Sequence, residues 1–236
     1  MEAYVRQQAR ERAEEEDRSG EQQQAAEEKA TPHARMQRSF TDTDSRMMKT
    51  SDGSFQYCYN AQAVVDEKSQ VIVATSLTQE ANDNCQLVPM VTATKERCAS
   101  MPGGKLSRQL TADTGYCSEK NLKAMAEEEI EIFIATGREK HGEKKPERAP
   151  LGRIPKNITL RQRMNRMLAT QAGRAAYARR KAIVEPVFGQ MKTQQQAGRF
   201  QLRGETAVTA EWMLHALCHN LRKLMNATDG VFQPVG

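Results

Sequence analysis

The stretch SRQLTADTGYCSEKNLKAMAEEEIEIFIATG, residues 107–137, contains a short apolar run, a helix signal and a second apolar run. The first run ends at Asp113, and Ser118 stands where a helix N-cap is expected. Gly137 closes the second run. A strand, a helix and a strand in this order are typical of parallel strands joined by a helical crossover.

A hairpin pattern precedes this unit. FQYCYNAQAVVD (55–66) alternates apolar and polar residues, and QVIVATSLT (70–78) repeats the alternation after the turn EKS. Residues 41–54 are turn-like, and helix signals follow the hairpin from Asp83, a plausible N-cap. The order of elements predicts an α/β fold in which an antiparallel pair joins parallel strands in one mixed sheet flanked by helices.

The C-terminal part is predicted to be helical, first from Thr159 to about Lys192 and then from about 205 to 225. The last helix has apolar residues at steps of three and four, which predicts a core-facing stripe. Its members are Ala207, Ala210, Leu214, Leu217, Leu221 and Leu224. His215 and His219 have a spacing that can bind metal, but no third ligand is near, so we expect ordinary surface or core histidines.

The predicted organisation is a charged helical or disordered arm (1–40), one domain (41–226) and a tail (227–236), with a proline-rich linker or loop near 138–157. No apolar run approaches the roughly 20 residues of a membrane span, and the start lacks a signal-peptide core, so we expect a cytoplasmic protein. The five cysteines are widely spaced without a CxxC pair, which favours free thiols over disulfides or zinc.

Positive charge is concentrated in one part of the chain. Residues 138–203 hold 17 Lys or Arg and four acids, so the local net charge is +13, whereas the whole chain carries +5. A block this basic indicates a polyanionic partner, and the DNA backbone is the commonest one. The alternative is a solvated basic linker.

Two carboxylates are candidates for a site. Asp113 ends a strand, where open α/β sheets place ligands, although a turn residue is the alternative. Glu185 is the lone acid in YARRKAIVEPVFGQMK, where an ion pair with Lys181 or Lys192 is the alternative. Carboxylates beside a basic face suit Mg²⁺, and paired metals stabilise both oxygens of an in-line phosphoryl displacement.

Five segments resemble, in order, those of bacterial insertion-sequence transposases of the DDE type. They are YNAQAVVDEKSQVIVATSLT, ANDNCQLVPMV, TADTGYCSEKNL, YARRKAIVEPVFGQMK and FQLRGETAVTAEWMLHALCHNLRKL. The resemblance covers residues 40–226 and implies a ribonuclease-H-like fold, with Asp113 and Glu185 as the second and third acids of the triad. It also implies Mg²⁺ or Mn²⁺ as cofactor and double-stranded DNA at transposon ends as partner, with a homodimer on DNA as a further possibility.

In these transposases Tyr, Arg and Lys residues around the Glu contact DNA, and Tyr177, Arg180 and Lys192 stand in those places. The interval from Arg180 to Glu185 is one residue longer than in some relatives, so Arg179 is an alternative for the arginine role. Lys181 completes the predicted DNA-binding set.

The first acid of the triad is not recognisable. The acids upstream of the hairpin, which are outside any apolar strand pattern, are Asp17, Asp42, Asp44 and Asp52. Asp66 ends a strand but matches the hairpin turn. We therefore expect a truncated or interrupted transposase that lacks the first, central strand and is inactive alone. The alternative is a non-catalytic DNA-binding remnant that competes with intact transposase.

Overall fold

The computed structural model describes residues 2–15, 19–32, 37–50, 52–128, 130–137, 154–155 and 157–227. The chain divides into two compact units, Met1–Cys58 and Tyr59–Gly236. Most of the predicted linker and of the predicted tail lies outside the described residues.

The first unit contains two helices and a small antiparallel sheet. Its elements are α1 (Glu2–Glu15), α2 (Gly20–Lys29), β1 (Arg46–Lys49) and β2 (Phe55–Cys58). The helices agree with the helical form of the predicted arm. The prediction of a turn-like segment over 41–54 was wrong in part, because β1 pairs with β2. The predicted single strand over 55–66 is broken at Tyr59, since its first half pairs with β1 instead.

The second unit begins with the predicted hairpin. Strands β3 (Asn60–Val65) and β4 (Ile72–Thr78) pair antiparallel, with Ala61 opposite Leu77. In the turn, the Asp66 carboxylate accepts hydrogen bonds from the main-chain N–H of Ser69 at 2.8 Å and from its hydroxyl at 2.6 Å. These bonds, the hydroxyl first, lower the pKa of Asp66. Asp66 therefore has the turn role that the sequence predicts.

The strand–helix–strand unit is also present. Strands β5 (Gln109–Ala112) and β6 (Glu131–Ile134) pair parallel, and α4 (Glu119–Glu127) connects them. Ser118 caps α4, because its hydroxyl accepts the N–H of Asn121. The mixed α/β class is confirmed. However, the strands of the described residues form three two-stranded sheets rather than one mixed sheet.

Four further helices surround these strands. They are α3 (Leu87–Ser100), α5 (Leu160–Ala169), α6 (Gln171–Gln194) and α7 (Glu205–Ala227). Thr159 caps α5 with a capping box, as its position at the predicted helix start suggests. In the part of the chain that is described, no helix combines the length and apolar character needed to cross a bilayer. All five cysteines are free thiols.

The predicted core-facing stripe of α7 was wrong. Leu214 and Leu217 are 58% and 53% exposed, and Leu221 and Leu224 are also exposed. The buried side of the helix instead carries Val208, Trp212, Ala216 and His219. The helix is apolar on both sides, and the large Trp212 ring decides which side packs inward, because it stacks on Phe188 with ring centroids 5.9 Å apart.

The apolar core of the second unit consists of two clusters. The buried members of the first, around β5 and β6, are Leu87, Val91, Cys117, Leu122, Met125, Ile130, Ile132, Ile134 and Met164. Those of the second, around the hairpin, are Ile72, Leu77, Val187, Met191, Val208, Trp212 and Ala216. A domain usually has one contiguous core, whereas this unit has two separate clusters.

Gln70, in the hairpin turn, forms hydrogen bonds with both α6 and α7. Pro186 has no N–H to donate to the Ala182 carbonyl, and the Gln70 side chain donates to that carbonyl instead, at 3.0 Å. Nε2 of His219 lies 2.9 Å from the Gln70 carbonyl oxygen, and Lys223 donates to the Gln70 side-chain oxygen at 2.7 Å. His219 is buried with this partner, as expected for a core histidine.

Asn220 of α7 forms hydrogen bonds with β4. The N–H of Ile72 donates to the Asn220 side-chain oxygen, and the Asn220 amide donates to the Ile72 carbonyl, both at 2.8 Å. The amide side chain thus acts as a neighbouring strand would, and it satisfies both main-chain groups of a buried residue.

Replacing Asn220 by Ala should lower the free energy of unfolding of the second unit by about 2 kcal/mol, because two main-chain groups lose their partners. The fluorescence of the single tryptophan, Trp212, during urea unfolding measures this change, since its ring packs in the same unit. The exposed Asn226, replaced by Ala, is the matched control. Equal unfolding midpoints for the two variants would contradict the assigned role of Asn220.

Candidate functional site between β3 and β5

A cavity of about 660 Å³ lies in the second unit between the hairpin and the β5–β6 pair. It is lined by every residue from 60 to 68 and by most residues from 105 to 113. Side chains of successive strand residues point to opposite faces, so a cavity that touches successive residues runs along the strand edges. The cavity therefore separates the edge of β3 from the edge of β5.

Helices close both faces of this cavity. Apolar residues of α3, including Leu87, Met90 and Val91, line it, and so do Ala176, Ile183 and Val184 of α6. The odd-numbered side chains of β3 pack with α6 and α7 in the second core cluster. On the other face, the side chains of Asn60 and Gln62 reach Asp83, just ahead of α3.

Asp113 lies at the end of β5 on the cavity wall, as the sequence predicts. One carboxylate oxygen accepts the N–H of Thr114 at 2.7 Å, and the other lies 3.8 Å from Nη1 of Arg180. The side chain is 60% exposed. Asp113 thus starts the turn at Thr114 and also places its second carboxylate oxygen near the Arg180 guanidinium.

Arg180 is the most enclosed cation of the site. Its side chain is only 17% exposed, and its guanidinium lies 5.5 Å from the centre of the Tyr177 ring. Among the described residues, Nε of Arg180 has no hydrogen-bond partner although it is buried. The neighbouring Arg179 forms a half-exposed pair with Glu67 at 2.8 Å, and pairs of this kind contribute at most about 1 kcal/mol.

The other predicted site residues face outward. Glu185, Lys181 and Lys192 are exposed, and none of them lines the cavity. Helical spacing had placed these three on one face of α6, and their shared exposure agrees with that. The structure thus brings Asp113 and Arg180 together, whereas Glu185 belongs to the solvent side of the same helix.

Asp83, whose place in the sequence predicts only a helix start, is a cavity residue. Its carboxylate accepts from the Asn60 and Gln62 side chains at 2.7 and 2.8 Å. A Cβ atom at Gly115 would lie 2.6 Å from its second oxygen, so the glycine permits this close approach. In the sequence, the glycine at 115, directly after Asp113 and Thr114, is the signal for a close approach. Only the fold shows that Asp83 is the residue that approaches it.

Carboxylates are suitable ligands for Mg²⁺, but the residues present fit such an ion only in part. Within the described ranges, no group of three or more His, Cys, Asp or Glu side chains is placed to hold a metal. Asp66 does not complete a group with Asp113. Asp66 follows the last residue of β3, whereas Asn60, which lies near the Asp113 end of the cavity, is its first residue. At a rise of about 3.3 Å per residue, Asp66 and Asn60 are about 20 Å apart.

Tyr116 connects the two walls at the Asp113 end of the cavity. Its hydroxyl donates to the Gln62 side-chain oxygen. Burial, and then the negative charges of Asp83 and Asp113, raise the pKa of Tyr116. Its phenol should therefore stay protonated at a pH where an ordinary tyrosine ionises.

Absorbance titration at the phenolate band tests this arrangement. Of the five tyrosines, Tyr116 should remain un-ionised at about pH 11, one unit above the usual pKa. Tyr116→Phe should thus leave the absorbance change up to that pH unaltered, provided that circular dichroism shows a folded chain. A reduced change in the variant would mean that Tyr116 titrates normally. Because the unfolded chain releases this proton from about pH 10, stability should fall above that pH.

A family model described as a transposase DDE domain matches residues 35–221, which is most of the chain. The matched range contains Asp113, Glu185 and the whole cavity lining. Neither the comparison with curated proteins nor that with solved structures returned a match.

Proposed function

Because the chain belongs to the transposase DDE domain family, we propose that it carries part of a catalytic domain for metal-dependent DNA strand cleavage and transfer in transposition. The observation that carries this proposal is the placement of Asp113 at a strand end, beside the enclosed Arg180 and within the matched range. An acid and a cation at this position suit a site where a phosphodiester is cut.

In this proposal Asp113 and Glu185 are the second and third acids of the triad, and both would help to hold Mg²⁺ or Mn²⁺ in a complete domain. Such ions, when bound, would supply positive charge that stabilises the attacking and leaving oxygens of phosphoryl transfer. What this chain itself contributes is a carboxylate fixed by Thr114 and an arginine held against Tyr177. Glu185 is exposed on the same helix that brings Arg180 to Asp113.

DNA is the proposed partner. Lys181 and Lys192 give α6 an exposed basic face for the phosphate backbone, while Arg179, Arg180 and Tyr177 stand beside the site. Binding at transposon ends as a homodimer and a cytoplasmic location are parts of the same proposal.

We further propose that the first catalytic strand is not among these 236 residues. The division of the core into two clusters and the cavity between β3 and β5 support this, because a central strand would occupy that place. A domain with two acids of three should not cut DNA alone.

The second candidate is a non-catalytic DNA-binding remnant that competes with intact transposase for DNA ends. One observation favours it, namely that the described residues contain no group of three metal-binding side chains. The two candidates differ in whether activity returns when the missing strand is supplied.

The basic block should bind duplex DNA with little sequence preference, and affinity should fall by about 10³ or more between about 50 and 200 mM salt if six phosphates are contacted. Gel-shift titrations measure this slope. Lys181→Ala and Lys192→Ala should each reduce the slope by about 0.9. Lys29→Ala, in α2 outside the basic block, is the matched control. A flat salt dependence, or equal effects of Lys29 and Lys192, would overturn the assignment.

The chain alone should not cleave DNA that carries the element's ends in the presence of Mg²⁺ or Mn²⁺. Each 1.4 kcal/mol or so of lost transition-state stabilisation costs about tenfold in rate, and a missing metal ligand removes several such steps. Activity should return when the upstream segment with the first strand is joined to the chain, and Asp113→Asn should abolish it again. If the chain alone cleaves and Asp66→Ala stops it, Asp66 is the first acid and the proposal of a missing strand is wrong.

A further inference from the structure

A carboxylate of α7 holds the loop that connects α6 to α7, residues 195–204. The Glu211 side chain is only 10% exposed. Its two oxygens accept the main-chain N–H of Gln201 at 2.8 and 3.1 Å, and one of them also accepts the N–H of Leu202 at 2.9 Å. Hydrogen bonds to an ionised acceptor are roughly twice as strong as those between neutral groups. Glu211 therefore fixes the middle of the α6–α7 loop.

Further contacts hold the two ends of the α6–α7 loop. Near its start, the N–H of Ala197 donates to the Met191 carbonyl at 3.1 Å. The Phe200 ring packs edge-on against the Trp212 ring, with centroids 6.4 Å apart. Gly204, with a φ of +80°, leads the chain into α7 in a conformation that glycine adopts without strain. The α6–α7 loop thus has a defined conformation from its first residues to its last.

This ordered loop presents two arginines to solvent. Arg199 and Arg203 are exposed, and neither forms an ion pair with a described residue. They stand on either side of the two residues that Glu211 holds. Together with Lys192 they are the only charged residues from 186 to 204, so this part of the sequence contains three cations and no acid. Guanidinium groups of this kind are suited to phosphate oxygens.

The charge of Glu211 is the opposite of what a surface for a polyanion requires. A carboxylate beside Arg199 and Arg203 lowers the local positive potential and would by itself weaken the binding of phosphates. Its place beneath the loop is understandable if the order that it gives to the loop outweighs this repulsion. A surface that is ordered before binding loses less conformational freedom when its partner arrives.

We propose that the α6–α7 loop is a contact for the phosphate backbone of duplex DNA, made by Arg199 and Arg203, and that Glu211 is the positioning residue of this contact. The inference rests on the proposed function, because DNA is the partner named there. It adds to Lys181 and Lys192 of α6 a second element that contacts the backbone. Contacts of this kind set the position of a protein on the duplex without reading its sequence.

Gel-shift titrations over a range of salt concentrations test the two arginines. Arg199→Ala and Arg203→Ala should each reduce the slope of log affinity against log salt by about 0.9, because each removes one phosphate contact. Arg97→Ala, which changes an exposed arginine of α3, is the matched control and should keep the wild-type slope.

Two contrary outcomes of these titrations are distinguishable. If Arg199→Ala and Arg203→Ala keep the wild-type slope while Lys181→Ala and Lys192→Ala reduce it, the loop contact is wrong and the proposed DNA partner stands. If the wild-type chain shows no salt-dependent binding at all, the proposed partner is wrong and the loop contact falls with it.

The sign of the effect of Glu211→Gln tests its positioning role. Removal of a negative charge should by itself strengthen DNA binding, whereas loss of the loop's order should weaken binding severalfold, and we expect the weakening. Glu205→Gln removes the same charge from the first turn of α7, so it is the matched control and should not weaken binding. In a chain that carries both Arg199→Ala and Arg203→Ala, Glu211→Gln should have no further weakening effect. Unchanged or tighter binding by Glu211→Gln, or a weakening that persists without the two arginines, would refute the positioning role.

Amide hydrogen exchange measured by NMR without DNA tests the same contact directly. In Glu211→Gln the N–H groups of Gln201 and Leu202 should exchange about tenfold faster or more, because an amide oxygen is a weaker acceptor than a carboxylate. The fluorescence of Trp212 reports whether the unit remains folded. Unchanged exchange of both amides in a folded variant would show that Glu211 does not hold the loop.

Discussion

Pairing of main-chain groups along strand edges is the constraint on which the rest of this structure depends. A buried N–H or C=O without a partner costs about as much as a lost hydrogen bond, so strands in an α/β unit normally continue into one sheet. Here β3 and β5 face each other across a cavity instead, and the described strands form only two-stranded sheets. The core is divided at the same place. The candidate site lies at one end of this gap, where Asp113 meets Arg180.

The two halves keep their positions because specific contacts replace the missing pairing. On the hairpin side, Gln70 forms hydrogen bonds with His219 and Lys223 of α7. Its side chain also donates to the Ala182 carbonyl, which has no N–H partner at Pro186. Across the gap, Tyr116 bonds to Gln62, and Gly115 allows the close approach of Asp83. The bond between Tyr116 and Gln62 connects the two walls at the Asp113 end of the cavity. Most of these contacts are hydrogen bonds between partly buried groups, and satisfied hydrogen bonds of this kind make a structure more rigid.

Local patterns in the sequence predicted the hairpin, the β5–α4–β6 unit and the C-terminal helices, because period and capping residues are local signals. The position of Asp113 at a strand end was predictable for the same reason. The side of α7 that packs inward was not predictable from the sequence, since both sides are apolar and the stacking of Trp212 on Phe188 decides between them. The exposure of Glu185 and the place of Asp83 in the cavity depend on contacts between distant segments, which no local pattern contains.

Amide hydrogen exchange at individual residues of β5, measured by NMR on the chain alone, tests the open edge most directly. The N–H groups of Leu110 and Ala112 face β6 and should be protected, whereas that of Thr111 faces the cavity. Thr111 should exchange at least about a hundredfold faster than its two neighbours, because only their amides are bonded in the ladder. Equal protection of all three amides would show that the cavity-side edge of β5 is already paired, which contradicts an open edge at Thr111.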